Sequence, residues 1–359
     1  MQYFPRYLTY APWQGQLNNT RLCFETALIL AYISGRILVI PPGYRRRDEP
    51  EWDDAGFRPL HPGEFLDFDR LSSIVPMISY EEYAASGADG RQHDVIDIAV
   101  DAGTAVFCYP AIPAPGTAEA LRLSAFAAGR GRFLQPTPEL DACRTLNIQS
   151  PTLEPFYAFF HFSHPGHELE CKRLVRDHVR FRPPVLEAGA RIAAQLGNYS
   201  ALHVRRGDFF WQRPEQDLSA ERILHSMEAA GLRPSRLYIA SDEMDRAYFA
   251  PISRCWETYF VEDFAGSLGD AMSAEDIACV EQVVCSHSDA FMGTRLSTFS
   301  SYITRLRGNR GAGGEAVLFT DGSPGSEADD EGSPWFSWTN WLRDGNPLWG
   351  REYREAWTF

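Results

Sequence analysis

Short apolar runs alternate along this chain with longer amphipathic stretches, which is the pattern of an α/β protein. Tyr7-Leu8-Thr9-Tyr10 and Ile37-Leu38-Val39-Ile40 predict strands flanking a helix over residues 18–34, whose centre is the apolar run Ala27-Leu28-Ile29-Leu30-Ala31. Pro41 and Pro42 end the second strand, since proline has no N–H for the ladder. This opening is one βαβ unit. Over residues 43–150 proline, glycine and charge are frequent, and only Ala105-Val106-Phe107-Cys108 predicts a strand. A helical pattern over 167–179 is broken by Arg180-Phe181-Arg182-Pro183-Pro184, which places a boundary between a domain over 1–180 and one over 181–359. Beyond it, predicted strands at 201–204, 237–240, 258–261, 290–292 and 316–319 alternate with helical patterns near 218–230, 274–286 and 298–307. Such a series predicts a mostly parallel sheet with helices on both faces and its ligand at the carboxyl ends of the strands. The polar acidic stretch 321–333 reads as a mobile loop. The tail after it holds five of the nine Trp (Trp335, Trp338, Trp341, Trp349, Trp357) and is expected to fold back across the body in aromatic packing.

Composition narrows the function classes. A chain of 359 residues, 44% of them hydrophobic, is globular and long enough for about two domains at roughly 150 residues each. The formal charge of -14 opposes nucleic acid and acidic membrane surfaces as partners, so an anionic ligand would have to meet cations gathered in one place. The seven cysteines form no Cys-x-x-Cys pair and do not settle the redox compartment. No run approaches the ~18 consecutive apolar residues of a membrane span. The first residues also lack a basic segment followed by an apolar one, so the chain reads either as cytosolic or as beginning after a leader.

Three segments can carry chemistry. His203-Val204-Arg205-Arg206-Gly207-Asp208 stands at the carboxyl end of a predicted buried strand, where a guanidinium can bind a diphosphate bidentately and stay charged as a leaving group gains charge. A structural ion pair with Asp208 is the equally weighted alternative. In Phe291-Met292-Gly293-Thr294-Arg295-Leu296-Ser297-Thr298-Phe299-Ser300 a strand runs through a polar turn into a helix, a ready anion site or a plain N-cap. Trp13-Gln14-Gly15-Gln16-Leu17-Asn18-Asn19-Thr20-Arg21 is a strand-to-helix turn whose amides can bind sugar hydroxyls, without the glycines of a dinucleotide site or the lysine of a P-loop. The Asp-x-Asp at Asp67 and Asp69 is expected by chance among 48 acidic residues. His161, His164, His167 and Cys171 are read as scattered around a hinge, because Pro165 and Gly166 interrupt a helix that would align them. There is no Gly-x-Ser-x-Gly elbow.

Together, in order, these segments resemble the GDP-fucose protein O-fucosyltransferase family. The matching residues are Gly15-Gln16-Leu17-Asn18-Asn19-Thr20-Arg21 with the helix and strand that follow. Leu202 to Asp208, Tyr238-Ile239-Ala240-Ser241-Asp242, and Asp289 to Gly293 running into Ser297-Thr298-Phe299-Ser300 complete the set. Residues 43–150 and the aromatic tail do not match. The resemblance implies two Rossmann-like domains facing a cleft, the GT-B type, with the second domain holding the donor. It further implies inverting transfer of L-fucose from GDP-fucose to a hydroxyl, usually of a protein Ser or Thr, with neither a metal nor any other cofactor. On this basis Arg205 binds the β-phosphate and stabilises departing GDP, and Asn19 stands near the acceptor hydroxyl. The donor-binding set is Gly15, Asn18, His203, Asp208, Asp242, Glu281, Ser297, Thr298 and Phe299. Glu281, eight residues before Asp289, falls where the family pairs an acid, more usually Asp, with guanine N–H groups.

Some relatives carry a carboxylate base in the first turn, where this chain has Gln14, Gly15 and Gln16. A base such as Glu25, or an acid between 43 and 100, is one resolution. Early leaving-group departure with late proton loss is the other. A glycan acceptor and a non-catalytic nucleotide- or glycan-binding member are the alternatives to protein O-fucosylation. The resemblance also implies work in the secretory-pathway lumen, and with it a leader or anchor upstream of this chain.

Overall fold

The structure is a computed structural model that describes residues 4–11, 17–42, 60–88, 95–99, 104–117, 120, 131–149, 152–153, 158–207, 218–233, 235–269, 271–294, 297–311, 316–319 and 348–349. Its strands in chain order are β1 (Tyr7–Tyr10), β2 (Ile37–Ile40), β3 (Met77–Ser79), β4 (Val95–Ile98), β5 (Thr104–Tyr109), β6 (Gly131–Leu134) and β7 (Thr145–Ile148). They continue with β8 (Ala158–Phe162), β9 (Ser200–Val204), β10 (Arg236–Ser241), β11 (Glu257–Tyr259), β12 (Ala290–Thr294), β13 (Ala316–Phe319) and β14 (Leu348–Trp349). The longer helices are α1 (Leu17–Ser34), α2 (Pro165–His178), α3 (Pro183–Leu196), α4 (Ala220–Ala229), α5 (Ala274–His287) and α6 (Thr298–Asn309). The chain divides into two compact units, one of residues 1–180 with 346–350 and one of 181–345 with 351–359.

In the first unit, β1, α1 and β2 form the expected βαβ opening, and a five-stranded sheet of order β3-β2-β1-β7-β4 grows around it with every pairing parallel. α1 is buried on nearly all sides, which explains an apolar run too continuous to show a clean stripe. Two charged residues inside it are buried as a pair. Arg21 Nε meets Glu25 Oε1 at 3.2 Å, and Arg21 also donates to the Val179 carbonyl. A second sheet has the order β14-β8-β5-β6, parallel except for β14. Of the tryptophan-rich tail, only Leu348–Trp349 is described, pairing antiparallel with Phe160 and His161. Trp335, Trp338, Trp341 and Trp357 lie outside the described residues, as does the acidic stretch 321–333.

Several expectations are corrected here. Pro165 does not interrupt a helix but opens α2 at its first turn, where a missing N–H costs nothing, and His164 caps it by accepting from Gly166 N at 3.0 Å. Asp67 caps the short helix Phe68–Ser72 by accepting from Arg70 N. The strand expected at 258–261 ends at Tyr259, because Asp263 accepts the Phe260 N–H at 2.8 Å and closes a 3₁₀ turn from Val261 onward.

The second unit carries a five-stranded, all-parallel sheet of order β11-β10-β9-β12-β13. Within the unit this is the order 3-2-1-4-5 of a dinucleotide-type sheet, and the chain reverses its direction of growth between β9 and β12. β9 is buried along its whole length and β10 is buried from Leu237 to Ala240, as a central parallel sheet requires. Leu202, Val204, Leu237, Ile239, Ile223, Met227 and Phe249 share one core on one face, and α3 and α5 pack together in the same unit. The molecule is therefore α/β, with every described strand pairing parallel except β14 against β8, the fold class its periodicity predicts.

Candidate functional site at the carboxyl ends of the second sheet

Parallel strands expose their last carbonyls and the turns that follow at one edge, and the reversal of strand order leaves a crevice there. In the second unit that reversal brings the end of β9, with His203, Arg205 and Arg206, beside the turn from β12 into α6. Gly293 is directly opposite His203 in the ladder. A Cβ at Gly293 would stand 2.6 Å from Ser300 Oγ, so only glycine lets α6 come this close to the strand. The close approach puts Ser300 and Phe299 against His203. The two rings stack at 4.4 Å, and His203 Nδ1 lies 2.6 Å from Ser300 Oγ. Burial, followed by the Arg205 cation, lowers the His203 pKa to about 3, so its imidazole is neutral across the ordinary pH range.

Arg205 is held from two sides. Its N–H donates to Thr294 Oγ1 at 2.8 Å, and the same hydroxyl donates to the His203 carbonyl at 3.1 Å, pinning the end of β9 to the end of β12. Its guanidinium forms an ion pair with Asp242, which follows β10, and Asp242 also accepts the Arg206 N–H at 2.7 Å. Gly207, at φ 26°, is the only residue type that leaves room there, because a Cβ would run into the Asp242 carboxylate. Arg206 turns elsewhere, pairing with Glu243 at 2.9 Å and covering the Tyr248 ring at 4.1 Å. The two cations are thus neutralised by two carboxylates one strand away.

The start of α6 supplies the other half. Ser297 has an extended backbone, φ -83° and ψ 120°, and makes no capping bond to its own helix with its side chain. The first-turn N–H groups of a 12-residue helix lie beside it, a geometry suited to an anion. Thr298 and Phe299 are half-buried in this turn. Glu281, on α5, is half-buried too. Burial, and then Glu262 and Asp242, raise its pKa to about 8.

Among the expected site residues, His203, Arg205, Asp242, Ser297, Thr298, Phe299 and Glu281 all belong to the second unit, and Asn18 and Asn19 to the first turn of α1 in the first unit. Asn18 is buried, and Asn19 Oδ1 is a buried acceptor with no partner among the described residues. Gly15 and Asp208 lie outside the described residues. Glu25 does not serve as a solvent-facing base, since it is fully buried against Arg21. Thr294 and Ser300 are site residues that the strand-turn-helix pattern left unassigned. Thr294 ends β12 and Ser300 stands in the first turn of α6, and only the packing of β9, β12 and α6 shows what they touch. Among the described residues no group of three or more His, Cys, Asp or Glu is arranged to hold a metal ion. No helix there is long and apolar enough to cross a membrane.

A profile of the GDP-fucose protein O-fucosyltransferase family matches residues 7–309. O-fucosyltransferase 14 of Arabidopsis thaliana is 24% identical over 371 residues, covering 88% of this chain and 61% of that protein. GDP-fucose protein O-fucosyltransferase 2 of Homo sapiens is 23% identical over 143 residues, 36% of this chain and 31% of its own length. This chain therefore spans about three fifths of the plant relative and a third of the human one. Among solved structures, POFUT1 in complex with GDP-fucose (crystal form I) superposes with a TM-score of 0.50 at 13% identity, covering 89% of this chain and 99% of that one. At that identity the likeness concerns the fold, the two-unit GT-B class.

Proposed function

Since the chain belongs to the GDP-fucose protein O-fucosyltransferase family, we propose that it transfers L-fucose from GDP-fucose to a hydroxyl group of a protein Ser or Thr, with inversion and without a metal ion. The observation that carries the reading is Arg205, locked by Asp242 and Thr294 at the strand-order reversal beside the α6 N-terminus. A diphosphate seated there meets a planar guanidinium and the first-turn N–H groups together. Both are preorganised, so they stabilise charge as it develops on departing GDP without reorganising. The acceptor oxygen forms its bond to the sugar C1 from the face opposite the diphosphate. The electrons of the breaking C1–O bond pass to the β-phosphate oxygen of GDP, and that oxygen takes up the hydroxyl proton after the bond has broken.

No carboxylate is assigned to the acceptor side. Asn19, with its unpartnered Oδ1, accepts from the acceptor hydroxyl and orients it. The pairing of Arg205 with Asp242 supports a positioning role for Asp242, rather than a direct bond to the donor. The secretory-pathway lumen is the compartment that goes with this reading.

The test is transfer from GDP-fucose by the purified chain to folded protein acceptors. Arg205→Ala is expected to lower kcat/KM by about 10²–10³-fold. Arg205→Lys should rescue little, because one ammonium cannot reproduce the fork. Normal transfer by Arg205→Ala would refute the assignment, and loss of activity on chelation would refute the metal-free route.

A further inference from the structure

His203 is almost sealed in, at 4% exposure, and its ring lies flat on Phe299. Among the described residues its side chain makes one hydrogen bond, between Nδ1 and Ser300 Oγ at 2.6 Å. Ser300 is fully buried above Gly293, and its hydroxyl likewise has this one partner among the described residues. A neutral imidazole carries a single ring N–H, so the pair has two arrangements. In one, Ser300 donates to a bare Nδ1 and the ring proton sits on Nε2. In the other, Nδ1–H donates to Ser300, and the serine's own proton has no acceptor among the described residues. Only the first gives the serine proton an acceptor and leaves the ring N–H as the group a ligand can meet, and stranding a buried hydroxyl proton is the costlier choice. Nε2 is the nitrogen left without a hydrogen-bond partner among the described residues.

We propose that Ser300 is a positioning residue that fixes His203 as the Nε2–H tautomer, so that the ring offers a hydrogen-bond donor to an acceptor atom of the bound nucleotide. The inference rests on the donor site proposed above and adds a direction to it. A ligand presenting a donor to Nε2 is rejected, because two N–H groups face each other. Phe299 holds the plane of the ring, Ser300 chooses which nitrogen carries the proton, and Gly293 admits Ser300. Ser300 acts through His203 alone and should therefore govern donor binding more than turnover.

The test uses the whole chain labelled with ¹⁵N-histidine and observed by two-bond ¹H–¹⁵N correlation, with the His203 signals assigned by their loss in His203→Gln. The free protein is expected to show a pyridine-type Nδ1 and a pyrrole-type Nε2, with Nε2 alone shifting when GDP is added. Ser300→Ala is expected to give mixed tautomers and to raise the GDP Kd, and the KM for GDP-fucose, about tenfold, with kcat changed less than about twofold. Ser300→Thr, which keeps the hydroxyl, should restore a single tautomer. A protonated Nδ1 in the wild-type spectrum would overturn the proposal even if every variant failed to fold. So would Ser300→Ala with one tautomer and unchanged GDP affinity. Failure of wild-type protein to bind GDP has a separate signature, because it removes the donor site whatever tautomer the spectrum reports.

Discussion

Glu281 shows how environment turns one side chain into a pH-dependent element. Burial, together with Glu262 and Asp242, raises its carboxyl to about 8, so at neutral pH it is mostly protonated in the free protein. Pairing with guanine N–H groups requires the ionised form, so binding GDP should expel a proton. The Kd for GDP is therefore expected to improve as pH rises from about 6 to 8, by up to about tenfold per unit, and then to level off. Calorimetry in buffers of different ionisation enthalpy would show the released proton. Glu281→Gln should bind more weakly, with a flat profile, and an unaltered slope in that variant would remove Glu281 from the base subsite. The resemblance points to this residue by its place before Asp289, but nothing in the sequence gives its protonation state. That state depends on Glu262 and Asp242, contributed by other segments and brought near only by folding.

At the level of elements, the site depends on how tightly α6 lies on β12. Replacing Gly293 by Ala would put a methyl 2.6 Å from Ser300 Oγ and 2.8 Å from its Cβ, so the helix must move outward. The expected cost is about 1–3 kcal/mol of stability, read as a lower urea midpoint, along with weaker GDP binding because Ser297, Phe299 and Ser300 travel with the helix. Unchanged midpoint and affinity would show that the contact is slack. The elements of the second unit were legible because each buried strand is a compact apolar run and each helix has a stripe. β11 was read too long because Phe260 and Val261 are apolar in a turn closed by Asp263. The region 43–150 resisted reading for a different reason. β3 and β4 are short and half-buried, with little contrast between their faces, and β7 slots between β1 and β4 across a long stretch of chain. Pro165 was misread as a breaker because a proline inside a helix and one at its first turn look alike until the cap at His164 is seen.

Across the whole molecule, buried titratable groups set the pH range of stability. His203 and His287, whose pKa values fall to about 3 and about 4, remain neutral in the folded protein while their unfolded counterparts take up protons below about 6.5. Stability should therefore fall on acidification through that window, each group adding up to about 1.4 kcal/mol per pH unit to the slope. Glu281 works in the opposite direction. The folded protein keeps a proton that the unfolded chain releases, so stability should fall again as pH rises from about 4.5 towards 8. A urea midpoint highest near pH 6.5 is expected, with Glu281→Gln flattening the alkaline side. A midpoint still rising between pH 7 and 8 would contradict it. The formal charge of -14 leaves the diphosphate reading intact, but not through a local surplus of cations, since Arg205 and Arg206 are each matched by a carboxylate. By itself the amino-acid sequence determined the α/β alternation, the ordered motif set, and the residue types that a diphosphate requires, because periodicity and spacing are local properties of a chain. Tertiary structure alone decided that Asp242 holds Arg205, that Thr294 ties β9 to β12, and that Ser300 reaches His203. These contacts join residues 37 to 97 positions apart, and their distances follow from strand register and helix packing, which no local pattern encodes.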